Sequence, residues 1–519
     1  MSFIKPRSSD ANASRSAGFA GRLDDAAARF IDKTPEGTVV LLVLLAFALL
    51  WTIFDAVSLA AVDAHPDVSE AILWARNFAF GYKHPPLTAW LYMAWFAVFP
   101  RQDWAADLLN VAVVTAGLAV TWRLLRDHLD RNRALLGLFA LILIPLYDVK
   151  TAILNANTVM VPFWAAALLF YLRARRCLGF LDAFLAGAFA SFAVLGKYWA
   201  LFLVAGMAVA AFTGPGAKRF WRSGAPFVVA LGAAIVMAPH AWWFIEQRGG
   251  TNYAFIRDTV VVVQSFAGAL LRSARYLINC VAYAIVPIIF LMLLRPSKAV
   301  LGELAWPADE DRCQIALLFF VPLVLPAVVN LALPYRLTAD WTYPNWALLP
   351  AVLYASHELA VDERAAARAG LVALAATLAL VIVSPVIAGV RLTKAQDQYR
   401  AHFRQVAELA DSVDGKPVRL YWGTPDIVDG LAFYLPGAQR LTADPGSAEG
   451  QSAARTAGLL AVCLPSDAPC LKIADALTAA GARTQSATFT RHFLWLAGPP
   501  LTVRITVAAP GQIPAHAAE

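Results

Sequence analysis

The sequence predicts an all-α polytopic membrane protein that ends in a small soluble α/β domain. Of its 519 residues, 59% are hydrophobic and 15% are charged, whereas soluble domains carry about 25% charged residues. Several windows approach or exceed the roughly 20 apolar residues that cross a bilayer. The net charge of +7 comes from short basic clusters between apolar segments. That is a positive-inside pattern rather than a nucleic-acid-binding surface.

The N-terminal 36 residues are polar and Ala-rich, and they lack the apolar core of a signal peptide. We predict that residues 1–36 form a cytoplasmic tail. Within it, Phe19, Leu23, Phe30 and Ile31 would share one apolar stripe of a helix lying at the membrane surface. A disordered tail is the alternative for this segment.

Apolar segments with basic flanks predict a membrane domain at residues 37–391 with about eleven transmembrane helices. Their approximate ranges are 39–60, 104–125, 134–146, 159–172, 180–195, 201–212, 227–237, 276–294, 315–333, 346–360 and 371–390. The run 87–100 is short for a span, and counting it as one would put the basic end near Arg126 outside. We therefore predict a surface-lying or re-entrant piece within one long external loop, residues 61–103.

The tail at residues 392–519 changes character and predicts a soluble domain on the outer face. A helix near 397–413 precedes β-like runs at 417–422, 459–464 and 501–507, separated by Gly, Pro and Asp turns. In an oxidising periplasm Cys463 and Cys470 could form a disulfide. Free buried thiols fit the spacing almost as well.

Polar groups cluster at the outer ends of the segments, while the inner loops carry mostly Arg-rich clusters that topology explains. Ionisable groups at membrane level are costly and usually functional or paired, so these clusters predict a shared outer cavity. A transporter more often places its charges near the midplane of the membrane. The clusters are Asp67/Glu70/Lys83/His84, Asp148/Lys150/Asn155/Asn157, Lys197/Tyr198, His240 and Arg336/Asp340/Trp341.

One stretch resembles a known family. Asp67…Glu70…Trp74…Gly81-Tyr-Lys-His-Pro-Pro-Leu-Thr-Ala-Trp90 is similar to the first external loop of protein-mannosyltransferase-like membrane glycosyltransferases with the GT-C fold (families 39 and 83). That group includes aminoarabinose transferases of lipid A and rhizobial galacturonosyltransferases. The resemblance covers about residues 38–440. Weaker motifs agree in order: Asn155-Ala-Asn-Thr158, Gly196-Lys-Tyr198, Pro239-His240 with Trp242-Trp243, Trp341 with Pro344, and Ala432-Phe-Tyr434.

The resemblance implies sugar transfer, with inversion, from a polyprenyl-phosphate donor. The acceptor would be lipid A, lipopolysaccharide core, another envelope glycan or a protein, at the periplasmic face of a bacterial inner membrane, with membrane lipids as further partners and no nucleic acid. There are two departures. Many relatives carry an acidic residue in the second loop, where this chain has Asn157, and Asp148 is nearby but not aligned. His84 stands where some relatives have Lys.

The resemblance and the charges together suggest roles for nine residues. Asp67 would be the general base, and Glu70 would position the acceptor or sugar, or share that role. Cations would stabilise the departing lipid phosphate, namely Lys83, His84 and Lys197, with His84 titrating near neutral pH. Sugar or acceptor contacts would come from Asn155, Asn157, Tyr198 and His240.

Each of these residues also has a structural alternative. Lys83 could simply snorkel to the interface, Asn155 and Asn157 could cap a helix, and Tyr198 could belong to an aromatic belt. The sequence shows no metal-ligand spacing, and we expect no cofactor. Binding of a divalent metal is the alternative. The lack of a Gly-rich nucleotide loop fits a lipid-linked donor. The alternative functions are a transporter or flippase for polyprenyl-linked glycans and a membrane scaffold.

Overall fold

The computed structural model describes residues 19–513 except 77, 151, 248–256, 258–259, 263, 306, 308, 395–398 and 415–418. Within them the chain is mostly α-helical. The α-helices are Phe19–Lys33, Glu36–Ser58, Pro66–Ala75, Leu87–Phe96, Asp103–Arg126, Arg131–Ile142, Met160–Cys177, Phe180–Gly196, Leu201–Phe212, Ala217–Arg222, Ala225–Glu246, Phe266–Leu293, Lys298–Ala305, Glu310–Ala332, Leu349–Tyr354, Glu363–Thr393, Phe403–Asp414, Pro425–Leu431, Ala448–Ala457 and Ala468–Ala479. The 3₁₀ segments are Tyr198–Ala200, Ala339–Leu348 and Pro510–Gln512.

Six of the described helices are long and apolar enough to cross a membrane. They are Glu36–Ser58, Asp103–Arg126, Ala225–Glu246, Phe266–Leu293, Glu310–Ala332 and Glu363–Thr393. Shorter apolar helices accompany them, including Phe180–Gly196 and Leu87–Phe96. The polytopic helical class is therefore confirmed, while the number of about eleven spans stays a prediction. Leu87–Phe96 has only 10 residues, about 15 Å of helix, as expected for a piece that does not cross.

Several membrane segments differ in their bounds from the sequence prediction, as two of them illustrate. The segment predicted at 346–360 begins earlier, as the 3₁₀ helix Ala339–Leu348, and continues as the short α-helix Leu349–Tyr354. Pro344 lies inside the first piece and Pro350 at the start of the second, and each proline lacks the N–H of a regular helical ladder. The segment predicted at 276–294 begins ten residues earlier, at Phe266.

The N-terminal helix Phe19–Lys33 lies along the last long membrane helix, Glu363–Thr393. Its Ile31 side chain is buried in the core of the membrane domain. Asp24 pairs with Arg368 at 2.8 Å and Asp25 pairs with Arg364 at 3.0 Å. The alternative of a disordered tail is therefore wrong for residues 19–33. The apolar stripe of this helix packs partly against the protein and does not face only the membrane surface.

The strands of the C-terminal module are β1 (Leu420–Gly423), β2 (Gln439–Arg440), β3 (Leu459–Cys463), β4 (Arg483–Phe489), β5 (His492–Phe493), β6 (Leu496–Ala497) and β7 (Leu501–Ala508). Five of them form a sheet flanked by helices, in the strand order β2-β1-β3-β7-β4. β1 pairs in parallel with β2 and β3, whereas β7 lies antiparallel between β3 and β4. A separate hairpin joins β5 to β6.

The small α/β module predicted from the sequence is confirmed. β3 and β7 lie where apolar runs placed them, because both have buried positions in the module's core. The predicted helix near 397–413 is Phe403–Asp414. Cys463 and Cys470 are joined by a disulfide, so the free-thiol alternative does not apply to this pair.

Candidate functional site

The two carboxylates of the first external loop lie on one helix, Pro66–Ala75, as their spacing predicts. Pro66 occupies its first turn, and the His65 side chain caps it by accepting a hydrogen bond from the Asp67 backbone N–H at 3.1 Å. Because Asp67 and Glu70 are three residues apart, both side chains face the same cavity. The cavity is lined by Asp67, Glu70, Tyr82, His84, Thr88, Asn155, Ala156, Asn157 and Lys197.

On the carboxylate side, Glu70 forms an ion pair with Lys83 at 2.8 Å. Burial raises the pKa of Glu70, and the charge of Lys83 opposes that shift. Asp67 accepts a long hydrogen bond from the Asn155 amide at 3.4 Å. Glu70 is therefore held by a cation, whereas Asp67 keeps acceptor capacity for an incoming hydroxyl.

On the opposite side lies a buried lysine. The Lys197 ammonium donates to Asn157 Oδ1 at 2.8 Å and lies 4.0 Å from the centre of the Trp341 ring. Burial lowers the pKa of Lys197 to about 7. The positive charge of Arg336 acts in the same direction, whereas the Asp67 carboxylate favours the charged form and opposes the shift. The lysine follows directly after the helix Phe180–Gly196, so that helix fixes its position.

His84 differs from the expectation. Burial, together with the positive charges of Lys197 and Lys83, lowers its pKa to about 3. The imidazole is therefore neutral at pH 7 in the ligand-free site, and the expected titration near neutral pH is wrong there. A neutral imidazole still offers one N–H donor, and an anion bound in the cavity would favour the charged form.

Six of the nine predicted residues line this one cavity: Asp67, Glu70, His84, Asn155, Asn157 and Lys197. Lys83 reaches it through its ion pair with Glu70. Tyr198 and His240 belong to the part of the chain that the structure describes, but they do not line this cavity. Tyr198 Oη instead bonds His240 Nε2 at 2.8 Å, and His240 Nδ1 contacts the Phe80 carbonyl at 2.6 Å. This pair braces the loop beside the cavity.

Sequence reasoning gave no site role to three residues that bear on the cavity. Tyr82 and Thr88 line it, and the Trp341 ring lies beneath the Lys197 ammonium, a cation–π contact. Trp341 belonged to an aromatic motif but looked like an interface residue. The described residues contain no group of three or more His, Cys, Asp or Glu side chains arranged to hold a metal.

The C-terminal module holds the loop helix from behind. Ser69 Oγ donates to the Gly430 carbonyl at 2.8 Å. The Arg76 guanidinium donates to the Ala432 and Leu435 carbonyls, both at 2.9 Å, and to the Ala438 carbonyl. One face of the helix therefore points at the cavity while the other is fixed by the module.

A second attachment lies just before the helix. The Asp63 side chain is fully buried and pairs with Arg491 at 2.5 Å. Its other carboxylate oxygen accepts the Arg404 backbone N–H at 2.9 Å. Backbone bonds add to this junction, because the Asp63 N–H donates to the Arg400 carbonyl at 2.8 Å. The start of the first loop is thus part of the module's surface.

This attachment gives a stability prediction. Arg76→Ala removes a guanidinium that satisfies three carbonyls near the end of the helix Pro425–Leu431, and we expect a loss of about 2–3 kcal/mol. The thermal unfolding midpoint of the detergent-purified protein should fall by several degrees, and activity should fall with it. Arg419→Ala, at an exposed arginine of the same module, should change neither. Equal midpoints for both variants would contradict the attachment.

The described residues thus form a helical membrane bundle, a cavity that holds two carboxylates and a lysine, and a small α/β module that fixes the loop helix. This architecture agrees with the GT-C fold that the resemblance of the motifs implies. A family model described as dolichyl-phosphate-mannose-protein mannosyltransferase matches residues 83–243. That range includes seven of the nine predicted residues, all except Asp67 and Glu70.

The chain is also similar to individual proteins. The lipid A galacturonosyltransferase RgtD of Rhizobium johnstonii is 25% identical over 319 residues, which are 59% of this chain and 62% of RgtD. The chain thus matches less than two thirds of that relative. The crystal structure of ArnT from Cupriavidus metallidurans bound to undecaprenyl phosphate has a TM-score of 0.57 at 15% identity, over 94% of this chain and 100% of ArnT. Its apo form has a TM-score of 0.57 at 12% identity, over 91% and 98%. At these identities the structures establish the shared fold alone.

Proposed function

We propose that this protein is an integral membrane glycosyltransferase that moves a sugar from a polyprenyl-phosphate donor to lipid A or a related envelope glycan, with inversion. The observation that carries the proposal is one cavity in which a buried lysine faces a carboxylate. The names of the relatives support its chemistry: RgtD is a lipid A galacturonosyltransferase, and ArnT was crystallised with undecaprenyl phosphate.

The geometry supports the following mechanism. Asp67 takes the proton of an acceptor hydroxyl as that oxygen bonds to the anomeric carbon of the sugar. The bond between that carbon and the phosphate oxygen breaks from the opposite face, so the configuration inverts. The electron pair stays on the departing polyprenyl phosphate, whose charge Lys197 stabilises in a water-poor site. Asn155 and Asn157 hold the two charged groups in position.

Glu70 and Lys83 form a second, mutually neutralising pair at the rim. Because Lys83 is bound to Glu70 in the ligand-free structure, it reaches a phosphate only by leaving or sharing that carboxylate. Lys197 is thus the principal phosphate ligand in this proposal, and Glu70 positions Lys83 or the sugar. A general base is needed for a hydroxyl acceptor but not for an ionised phosphate, so the site favours a hydroxyl.

We further propose that the cavity and residues 392–519 lie in the periplasm of a bacterium, on the outer face of the inner membrane. The Cys463–Cys470 disulfide supports this, because such bonds persist in oxidising compartments. The Arg-rich clusters lie at the other ends of the helices. A cysteine that replaces Glu449, an exposed residue of the module, should react with a membrane-impermeant thiol reagent in intact spheroplasts. Labelling only after lysis would reverse the orientation.

The function is tested by mass spectrometry of envelope lipids from cells with and without the gene. We expect loss of one pentose-, hexose- or uronic-acid-sized increment from one lipid or glycan, restored by a plasmid copy. The mass lost names the sugar. An unchanged envelope glycan profile together with a lipid-linked precursor accumulating on the inner leaflet would instead indicate a flippase.

A further inference from the structure

The hairpin β5–β6 has an unusual turn. Phe493 pairs with Leu496, so Leu494 and Trp495 alone form the tip. Leu494 has φ of 53°, in the left-handed region that disfavours a residue with a bulky side chain. Trp495 does not share this positive φ, and two-residue hairpin turns with positive φ only at their first residue favour glycine there. An apolar pair that tolerates this backbone suggests that the side chains themselves are needed at the tip.

Both tip side chains point away from the protein. Trp495 is 84% exposed and Leu494 is 64% exposed, next to the module's otherwise mixed surface. Apolar groups exposed together on a protrusion indicate an interaction site. The rest of the hairpin is not loose, because Phe493 packs with Ala388 and Leu392 of the last long helix.

The contact with that helix is close and specific. Leu496 Cδ1 lies 2.7 Å from the point where a side chain on Gly389 would begin, so a larger residue at position 389 would displace the Leu496 methyl group. At the base of the hairpin, Arg491 donates to the Ala60 carbonyl at 3.1 Å and pairs with Asp63. The hairpin is therefore held against the ends of two membrane helices.

The depth of this contact follows from the helix sequence. Between Arg368 and Arg391 the helix carries no charged residue, and this stretch of 369–390 measures about 33 Å, close to the roughly 30 Å hydrocarbon core. Gly389 lies at the end of that stretch, at the level of the membrane interface. The helix exposes Ile382, Val386 and Val390, an apolar stripe with a four-residue period that runs to the hairpin.

We propose that the tip of the β5–β6 hairpin inserts into the adjacent membrane interface and anchors the C-terminal module to the lipid. The exposed apolar tip is held against the end of a helix that exposes apolar side chains of its own, which makes the bilayer the occupant. The Trp495 indole suits this position, because tryptophan combines an apolar body with one N–H donor and is enriched at headgroup level. The anchor holds the module, and with it the loop helix, at a fixed height above the membrane.

The test is photo-crosslinking of the full-length protein in nanodiscs. A benzoylphenylalanine replaces Trp495 in one sample and Glu449, an exposed residue of a module helix, in another. Mass spectrometry should find phospholipid adducts at position 495 at least tenfold more often than at 449. Equal adduct yields, or crosslinks from 495 to a second protein chain instead of lipid, would overturn the proposal. The readout does not depend on glycosyltransferase activity.

A double substitution addresses folding. Leu494→Gly with Trp495→Asn installs a pair that suits positive φ at the first tip residue, so the hairpin should persist and the unfolding midpoint in detergent should not fall. In nanodiscs we expect amide hydrogen exchange of residues 492–497 to become at least several-fold faster than in the wild type, because the tip leaves the lipid. Unchanged exchange with an intact fold would show that the tip was never inserted.

Discussion

Asp67→Asn lowers sugar transfer by about 10²–10⁴-fold, the usual contribution of a general base, while donor binding is retained. The amide keeps the size of the carboxylate and can still contact Asn155, so the local fold should survive. It cannot accept the acceptor proton. The measurement is the turnover rate of the purified enzyme with its polyprenyl-phosphate donor, alongside donor affinity measured separately.

Asp426→Asn is the matched control, because Asp426 is an exposed carboxylate in the first turn of the module helix Pro425–Leu431. It should leave turnover within about twofold. Normal turnover in Asp67→Asn would remove Asp67 from the mechanism but leave the enzyme class intact. A loss of donor binding equal to the loss of rate would assign Asp67 to binding instead of proton transfer.

Lys197→Met should reduce turnover by about 10²–10³-fold, since it removes a preorganised cation from the leaving phosphate. The wild type should also show a pH signature. Because burial lowers the pKa of Lys197 to about 7, the free enzyme loses this positive charge as the pH rises through that value. We therefore expect kcat/KM for the donor, which reports the free enzyme, to fall as the pH increases from about 6 to about 8.

Lys197→Arg separates charge from shape. Arginine stays protonated throughout this range, so the variant should lose the fall in kcat/KM above neutral pH even if its overall rate is lower. Lys472→Met, at an exposed lysine of the module, should leave both rate and pH profile unchanged. A falling limb that persists in Lys197→Arg would assign the titration to another group.

Much of the carboxylate side of the site could be predicted from the sequence. A spacing of three residues places Asp67 and Glu70 on one helical face, whatever the tertiary structure. The apolar segments similarly predicted the membrane class, and short β-like runs between turn residues predicted β3 and β7. These inferences succeed because they rest on local periodicity, which the backbone geometry itself imposes.

The rest depends on contacts between distant parts of the chain. Nothing near Lys83 in sequence shows that it pairs with Glu70 and not with a free phosphate, and nothing near His84 shows that burial and two lysines hold it neutral. The edge strand β4 was missed because its positions are mostly exposed and polar. Only the fold brings Lys197 near Asp67. The sequence analysis therefore assigned Lys197 to the site from the order of the family motifs and not from its spacing to the carboxylates.

The Asp63–Arg491 pair joins residues 428 positions apart, and this distance sets an order of events during synthesis. The first loop leaves the ribosome early, but the groups that hold its helix, from Arg400 to Arg491, are made last. A nascent chain therefore carries its catalytic carboxylates without a rigid support until the module has folded. If the proposed function is right, we expect activity to appear only at the end of translation, and a premature stop before residue 491 to leave an inserted but inert membrane domain.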